Sequence, residues 1–231
     1  MGTMFNALGN LSGKVGDVIF RQRNGKTIIY KAPKRRNKTV SPKVIKGRGK
    51  FTAVSQITTS IYSIPQFKQI WRYCCKRYQN PHNLLFKNIY KYMDSDDFTK
   101  FGGIIPNHSS NIIKCSFVQS TPKIIVKLIE PAFEGDVFSE YEFSLMIAGI
   151  VVLSEPRNAG DLPMRVIGIK SGIYVKGMEL PSEIEIWIGG DNLSKIMNYN
   201  KREYYLHLIT LDSDGSVCRY SDKIKQCTKI K

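Results

Sequence analysis

Residues 139–147 read SEYEFSLMI. In an extended chain Tyr141, Phe143, Leu145 and Ile147 fall on one side and Glu140, Glu142 and Ser144 on the other, because successive strand side chains point to opposite faces. Alternation of this kind predicts a strand with one face in a core and the other in water. The pattern recurs on either side. NIIKCSFVQS (111–120) and PKIIVKLIE (122–130) are separated by the turn-like Ser120-Thr121-Pro122. PMRVIGIKSG (163–172), SEIEIWIGGD (182–191), REYYLHLITL (202–211) and SVCRYSDKI (216–224) complete about seven strands, with the spacing and turn residues of an antiparallel β-sandwich. The expected style is that of immunoglobulin or fibronectin domains, without the Cys…Trp…Cys signature of true immunoglobulins.

Upstream the period changes from two to 3.6. Ser41-Pro42 has the form of a helix start, an N-cap followed by proline at the first helical position. Apolar residues at 44, 51, 54, 57 and 61 then predict one helical stripe, although Gly47 and Gly49 each cost about 0.8–1 kcal/mol relative to alanine. Pro65 opens a second helix in which Phe67, Ile70, Trp71, Cys74, Cys75 and Tyr78 share a face, opposite Lys68, Arg72, Lys76 and Arg77. Asn80-Pro81 breaks it, and Leu85, Phe86, Ile89, Tyr90 and Met93 mark a third. MDSDDFTKFGGIIPNHSS (93–110) reads as a loop. The fold class is therefore mainly β with a helical layer, α+β. The expected division is a β-hairpin and basic arm at 1–40, a helical segment at 41–104 and the β-sandwich at 105–231.

The hairpin is read from GDVIFRQRNGKTIIYKAPKRR, residues 16–36. Asn24-Gly25 suits a type I′ turn, which needs two positive φ values. Closing on that turn sets Arg23 opposite Lys26, Arg21 opposite Ile28 and Ile19 opposite Tyr30 on one face. Gln22–Thr27, Phe20–Ile29 and Val18–Lys31 fall on the other. Like charges facing one another at the tip cost stability unless an anion lies near.

Charge distribution carries the strongest functional signal. The chain of 231 residues has a formal net charge of +16. Residues 1–50 hold 13 Lys/Arg against one acid, Asp17, and residues 51–101 hold 7 against 3, whereas 102–231 hold 15 of each. All of the excess thus lies in the first 101 residues, which implies a polyanionic or acidic partner for the front and a neutral body behind it. The plainer reading is a basic surface that serves solubility.

Motifs of catalysis are missing. His82, His108 and His207 are scattered, with no H-E-x-x-H or C-x-x-C to suggest zinc. SGKVGD and GRGK lack the phosphate-loop spacing. Asp212-Ser213-Asp214-Gly215-Ser216 imitates a calcium loop, but Lys223 falls where the closing Glu is needed, and Asp-Gly suits a hairpin turn. Asp94, Asp96 and Asp97 read as a solvated cluster. Trp71, Arg72, Tyr73, Arg77 and Tyr78 interleave aromatic and basic groups as a base-stacking platform would, yet Trp71 and Tyr78 lie on the apolar face and are assigned to the core. Five cysteines without framework spacing fit a reducing compartment. No secretory signal or membrane span is read, so synthesis in a cytoplasm is expected.

The segment from Leu11 to Phe51 resembles the N-terminus of a family of bacterial and phage-associated proteins without an established activity. Its Ser-Gly-Lys-x-Gly hairpin, basic-Pro segment and Arg/Phe helix are matched by Ser12, Gly13, Lys14, Gly16, Gly25, Lys26, Pro33, Arg48 and Phe51. The resemblance implies a β-sandwich behind a small α/β front and supplies no catalytic residue. Lys34-Arg35-Arg36 is an addition of this chain.

These readings lead to one expectation: a non-enzymatic structural or assembly protein, such as a phage virion component (capsid, head-decoration or neck), without cofactor or metal. Arg21, Arg23, Lys26, Lys31, Lys34, Arg35, Arg36 and Lys38 would neutralise an acidic partner in a homo- or hetero-oligomer. The alternative is sequence-independent nucleic-acid binding by the same cations. A carbohydrate-binding or hydrolytic sandwich ranks third.

Overall fold

The computed structural model describes residues 2–4, 12–23, 26–32, 41–77, 79–94, 97, 100, 102–106, 114–119, 123–129, 138–178 and 181–229. The chain divides into two compact units, Met1–Ser41 and Pro42–Lys231. The turn at Asn24-Gly25, the segment from Pro33 to Val40, Ser120-Thr121-Pro122, Tyr78, Asp96 and His108 lie outside the described residues.

The first unit contains a four-stranded antiparallel sheet in the order β1-β4-β3-β2, from β1 (Gly2–Met4), β2 (Gly13–Val15), β3 (Val18–Arg23) and β4 (Lys26–Lys31). Strands β3 and β4 pair from Val18 opposite Lys31 to Arg23 opposite Lys26. Gly16 takes a positive φ of 55° in the turn between β2 and β3, a conformation that only glycine adopts without strain.

The second unit is α+β. Its largest sheet has six antiparallel strands, and its two long central strands are β7 (Ser144–Pro156) and β11 (Tyr199–Leu211). On the outer side of β7 lie β8 (Met164–Lys170) and the short β9 (Tyr174–Val175). Strands β12 (Val217–Tyr220) and β13 (Ile224–Lys229) pair in tandem along the outer side of β11. One face of this sheet is covered by α1 (Pro42–Tyr62), α2 (Pro65–Tyr73) and α3 (Pro81–Tyr92). The other packs on a three-stranded antiparallel sheet, ordered β10-β6-β5, of β5 (Lys114–Gln119), β6 (Lys123–Ile129) and β10 (Glu183–Trp187), with α4 (Gly190–Met197) beside it.

The two cores follow from strand alternation. Met146, Ala148, Ile150, Val152, Tyr205 and Ile209 point to the helices and meet Val54, Ile57, Ile61, Phe67, Trp71 and Leu85. Leu145, Ile147, Val151, Leu153, Tyr204, Leu206 and Leu208 point the other way, towards Ile124, Val126, Ile184 and Ile186. The helical segment thus shares its core with the strands, and Ile104 and Ile105, in the segment read as loop, belong to that core.

This two-sided burial corrects the reading of 139–147. The strand begins only at Ser144, and all residues from 144 to 153 are buried, so β7 has no wet face. Tyr141 and Phe143, assigned to the core face, are exposed, while Glu142, assigned to water, is 2 % exposed. A central strand covered on both sides needs an apolar run, and the polar alternation belongs to the approach that precedes it. The second helix is also shorter than its stripe implied. It ends at Tyr73, and Cys74 is exposed. Phe67, Ile70 and Trp71 already fill the contact with the sheet, and the Trp71 indole N–H donates to the Ile104 carbonyl at 3.1 Å. Proline placed the helix starts well: α1, α2 and α3 each begin at one, and Asn80 caps α3 by accepting from the His82 N–H at 2.9 Å.

Gly149 sits where β7 and β11 leave no room for a side chain. A Cβ there would lie 2.1 Å from the Tyr205 carbonyl oxygen and 2.9 Å from the Leu206 Cα, both backbone atoms of β11. Substituting Gly149→Ala is expected to lower stability by about 3 kcal/mol, because the central strands must separate. Gly172→Ala, where an added Cβ has no neighbour within 4 Å, should stay within about 0.5 kcal/mol of the parent. Urea denaturation midpoints of the two variants check the pair.

Candidate polyanion-binding surface

Of the eight cations singled out in the sequence, Arg21, Arg23, Lys26 and Lys31 are described and exposed, while Lys34, Arg35, Arg36 and Lys38 lie outside the described residues. The register brings Arg21, Arg23 and Lys26 to one face of the small sheet, with Ile19, Ile28 and Tyr30 between them. Lys14, paired opposite Ile19, joins that face. Lys14 stood out in the sequence only through the Ser-Gly-Lys-x-Gly resemblance and not as a partner-binding cation, because β2, with 3 residues, is too short to show a period. Lys31 projects from the opposite face beside Val18, Phe20 and Ile29. There Gln22 donates to the Thr27 hydroxyl at 2.6 Å.

The small sheet has little interior. Thr27 is its buried residue among those whose burial is described; Val18, Ile19, Phe20, Ile28 and Ile29 are half-buried, and Val15 is 70 % exposed. A sheet of this size needs a covered hydrophobic face to be stable.

The helical layer of the second unit is basic as well. From Val18 to Met93 the chain carries eighteen Lys and Arg and no Asp or Glu. None of α1, α2 and α3 has an acid in its first turn, where the helix dipole favours negative charge. Lys43 and Lys46 instead occupy the first two turns of α1, which are exposed from Pro42 to Arg48. An anion near this end relieves both the dipole and the lysines.

The remaining polar groups of note are structural. Glu142 accepts from the Arg219 Nε and Nη2 groups, from the Thr210 hydroxyl and from the Ser139 N–H at 2.7 Å. Burial alone would raise its pKa, but Arg219, Thr210 and the Ser139 amide outweigh it and hold the carboxyl at about 2. The cluster ties the approach to β7 onto β11 and β12.

His207 is packed under α2, its ring edge-on to Phe67 with centroids 6.3 Å apart. Its Nδ1 lies 2.8 Å from the Ser221 carbonyl, so that nitrogen carries the proton. Burial lowers its pKa to about 4 despite that hydrogen bond, and the ring is neutral in the fold. Asp212 spends Oδ1 on the N–H groups of Asp214 and Ser216 within the turn between β11 and β12. Trp71 is 2 % exposed and belongs to the core, as its place on the apolar face implied, whereas Tyr73 is 69 % exposed.

Cys74, Cys75, Cys218 and Cys227 are free thiols. Among the described residues, no three His, Cys, Asp or Glu side chains converge as a metal site requires, and no helix is long and apolar enough to cross a membrane.

No family model, curated protein or solved structure matches the chain.

The pKa shifts fix the acid response. Both groups have folded values below their ordinary ones, 4.5 for Glu142 and 6.5 for His207, so the unfolded chain binds more protons and stability falls as pH falls. His207 contributes stability that is complete above pH 6.5 and is lost as pH falls through about 4; that of Glu142 is complete above 4.5 and is lost towards 2. His207→Gln should flatten the upper part of a stability–pH curve measured by urea titration. Glu142→Gln should flatten the lower part and cost about 1–2 kcal/mol at neutral pH, since the charge-assisted hydrogen bonds from the partly exposed Arg219 are weakened.

Proposed function

We propose that this is a non-enzymatic assembly protein, a structural component of a phage virion (capsid, head-decoration or neck), held to an acidic partner chain by its N-terminal unit. The observation that carries the reading is the small sheet of residues 2–31. Its apolar side chains are only half-buried, and Lys14, Arg21, Arg23 and Lys26 stand exposed on one face. Such a sheet gains its missing interior by packing on another chain, and the cations select an acidic one. Exposed ion pairs contribute about 0–1 kcal/mol each, so attachment relies on their number and on the apolar surface covered with them.

On this reading residues 18–31 are a hairpin closed by Asn24-Gly25, and Pro33 to Lys38 continue it as a basic arm. The facing six- and three-stranded sheets are a sandwich in the immunoglobulin or fibronectin style that serves as a neutral building block. The resemblance of Ser12 to Phe51 to phage-associated proteins points the same way. No cofactor enters the mechanism, and the oligomer is built from copies of this chain or from this chain and its partner.

In cells that encode the protein, the tagged full chain should sediment with particles on a density gradient. The variant with Arg21, Arg23, Lys26 and Lys31 all replaced by Ser should shift to the top fractions while keeping the circular dichroism of the parent. A wild-type chain found only among slow-sedimenting proteins would end this reading, as would a four-serine variant that sediments unchanged.

A further inference from the structure

A second surface, in the Pro42–Lys231 unit, uses none of the cations read from the N-terminus. Phe51 of α1 is 58 % exposed and Tyr90 of α3 is 39 % exposed. Phe86 lies between them, its ring centroid 5.1 Å from that of Phe51 and 6.0 Å from that of Tyr90, with Phe86 and Tyr90 within 15° of parallel. Lys50 reaches back over Tyr90, its Nζ 4.6 Å from the ring centroid, and donates to the Met93 carbonyl at 3.1 Å. The aromatic group therefore has one cation fixed against it; exposed Arg48 lines the groove beside it, and exposed Lys87 follows Phe86 in α3.

Two grooves meet at these rings. One, of about 620 Å³, is lined by Val44, Gly47, Arg48, Phe51, Thr52 and Tyr90. The other, of about 480 Å³, shares Phe51 and Thr52 and runs on past Ser55 and Thr59 to Arg165 of β8. The path between α1, α3 and β8 is thus continuous, with aromatic rings in the middle and an arginine at each end. Gln56 also lines the second groove, and its Oε1 is buried without a hydrogen-bond partner.

Aromatic faces exposed in a groove bordered by cations, on helices that contain no carboxylate, match one ligand chemistry closely. Unpaired bases stack on the rings while the backbone phosphates follow the cations. A duplex keeps its base faces covered and offers only phosphates. An acidic peptide would use the cations but has no general need for a stacked pair of rings. We propose that the α1–α3–β8 groove binds single-stranded nucleic acid without sequence preference, its bases on Phe51 and Tyr90 and its phosphates along Arg48, Lys87 and Arg165. The site is independent of the N-terminal anchor and does not rest on the assembly role.

The test is fluorescence anisotropy of a labelled oligothymidylate with the full-length protein. The background is the variant in which Lys14, Arg21, Arg23, Lys26, Lys31, Lys34, Arg35, Arg36 and Lys38 are all replaced by Ser, so that the N-terminal cations do not contribute. Replacing Phe51 and Tyr90 together by Ala should weaken binding by about ten-fold or more, without changing the slope against salt. Phe51→Trp with Tyr90→Phe should restore it. Arg48→Ala with Lys87→Ala should lower the slope of log affinity on log salt by about 0.7 for each phosphate no longer neutralised. Inorganic polyphosphate, which has no bases, should bind more weakly and be indifferent to the aromatic change. Both aromatic positions are exposed, and near-ultraviolet circular dichroism of the variants checks that the fold survives.

The proposal is overturned if the alanine pair binds oligothymidylate as its parent does, or if polyphosphate binds as tightly. It is equally overturned if the oligonucleotide does not bind. Retention of polyglutamate binding alongside any of these results would assign the groove to an acidic protein.

Discussion

The fold depends on the pairing of β7 with β11. These two strands run together from Tyr199 opposite Pro156 to Leu211 opposite Ser144, and Gly149 lets their backbones approach more closely than any side chain would permit. Every other layer of the second unit is attached to this pair. The helices cover one face, the three-stranded sheet covers the other, and β8, β9, β12 and β13 pair along its sides. Because both faces are dry, the pair is largely apolar; its buried polar groups include His207, which is kept neutral, and Thr210, which donates to Glu142.

Charge is balanced over residues 102–231 and is one-signed over the strands of the first unit and over α1, α2 and α3 of the second. In the three-stranded sheet, Lys123 pairs with Glu185 at 2.9 Å and Lys127 with Glu183 at 2.8 Å. No acid is available within Val18–Met93 to do the same for its cations. Like charges held together on a folded surface repel, and a counter-charge from outside relieves that repulsion. The small sheet adds a second incentive, since its apolar residues are only partly covered. In the proposed attachment the two properties would serve different parts of the interaction: charge would guide the encounter, and apolar cover would determine how long it lasts.

Much of this was legible in the sequence. The prolines at 42, 65 and 81 marked helix starts because proline is compatible with the first turn and little else in a helix. The period-two stretches located β8, β10 and β12 and most of β11. The errors share one cause, which is that contacts distant in sequence decide burial. Glu142 looked like a solvent-facing residue because its partner, Arg219, is 77 positions away. Phe51 sat on the same stripe as Val54, Ile57 and Ile61 and read as core; the others are buried, but Phe51 lies where the first turns of α1 leave the sheet. Helix α4 and strand β13 have no counterpart in the sequence reading: the first is only eight residues long, and the second, IKQCTK, is too polar to show a buried face. The groove between α1, α3 and β8 had no sequence signature, since it exists only once three distant segments meet.

One chain thus carries a central sheet buried on both faces and a basic N-terminal sheet whose apolar residues are only half-buried, the interior that the proposed partner would complete. Native-state hydrogen exchange on the full chain tests this directly, because protection follows local burial and hydrogen bonding. The amides of β7 and β11 should exchange only on global unfolding, while those of Val18–Arg23 and Lys26–Lys31 should exchange orders of magnitude faster and slow markedly when the chain is bound in its assembly. Protection across residues 18–31 equal to that of the central strands in the isolated protein would contradict it.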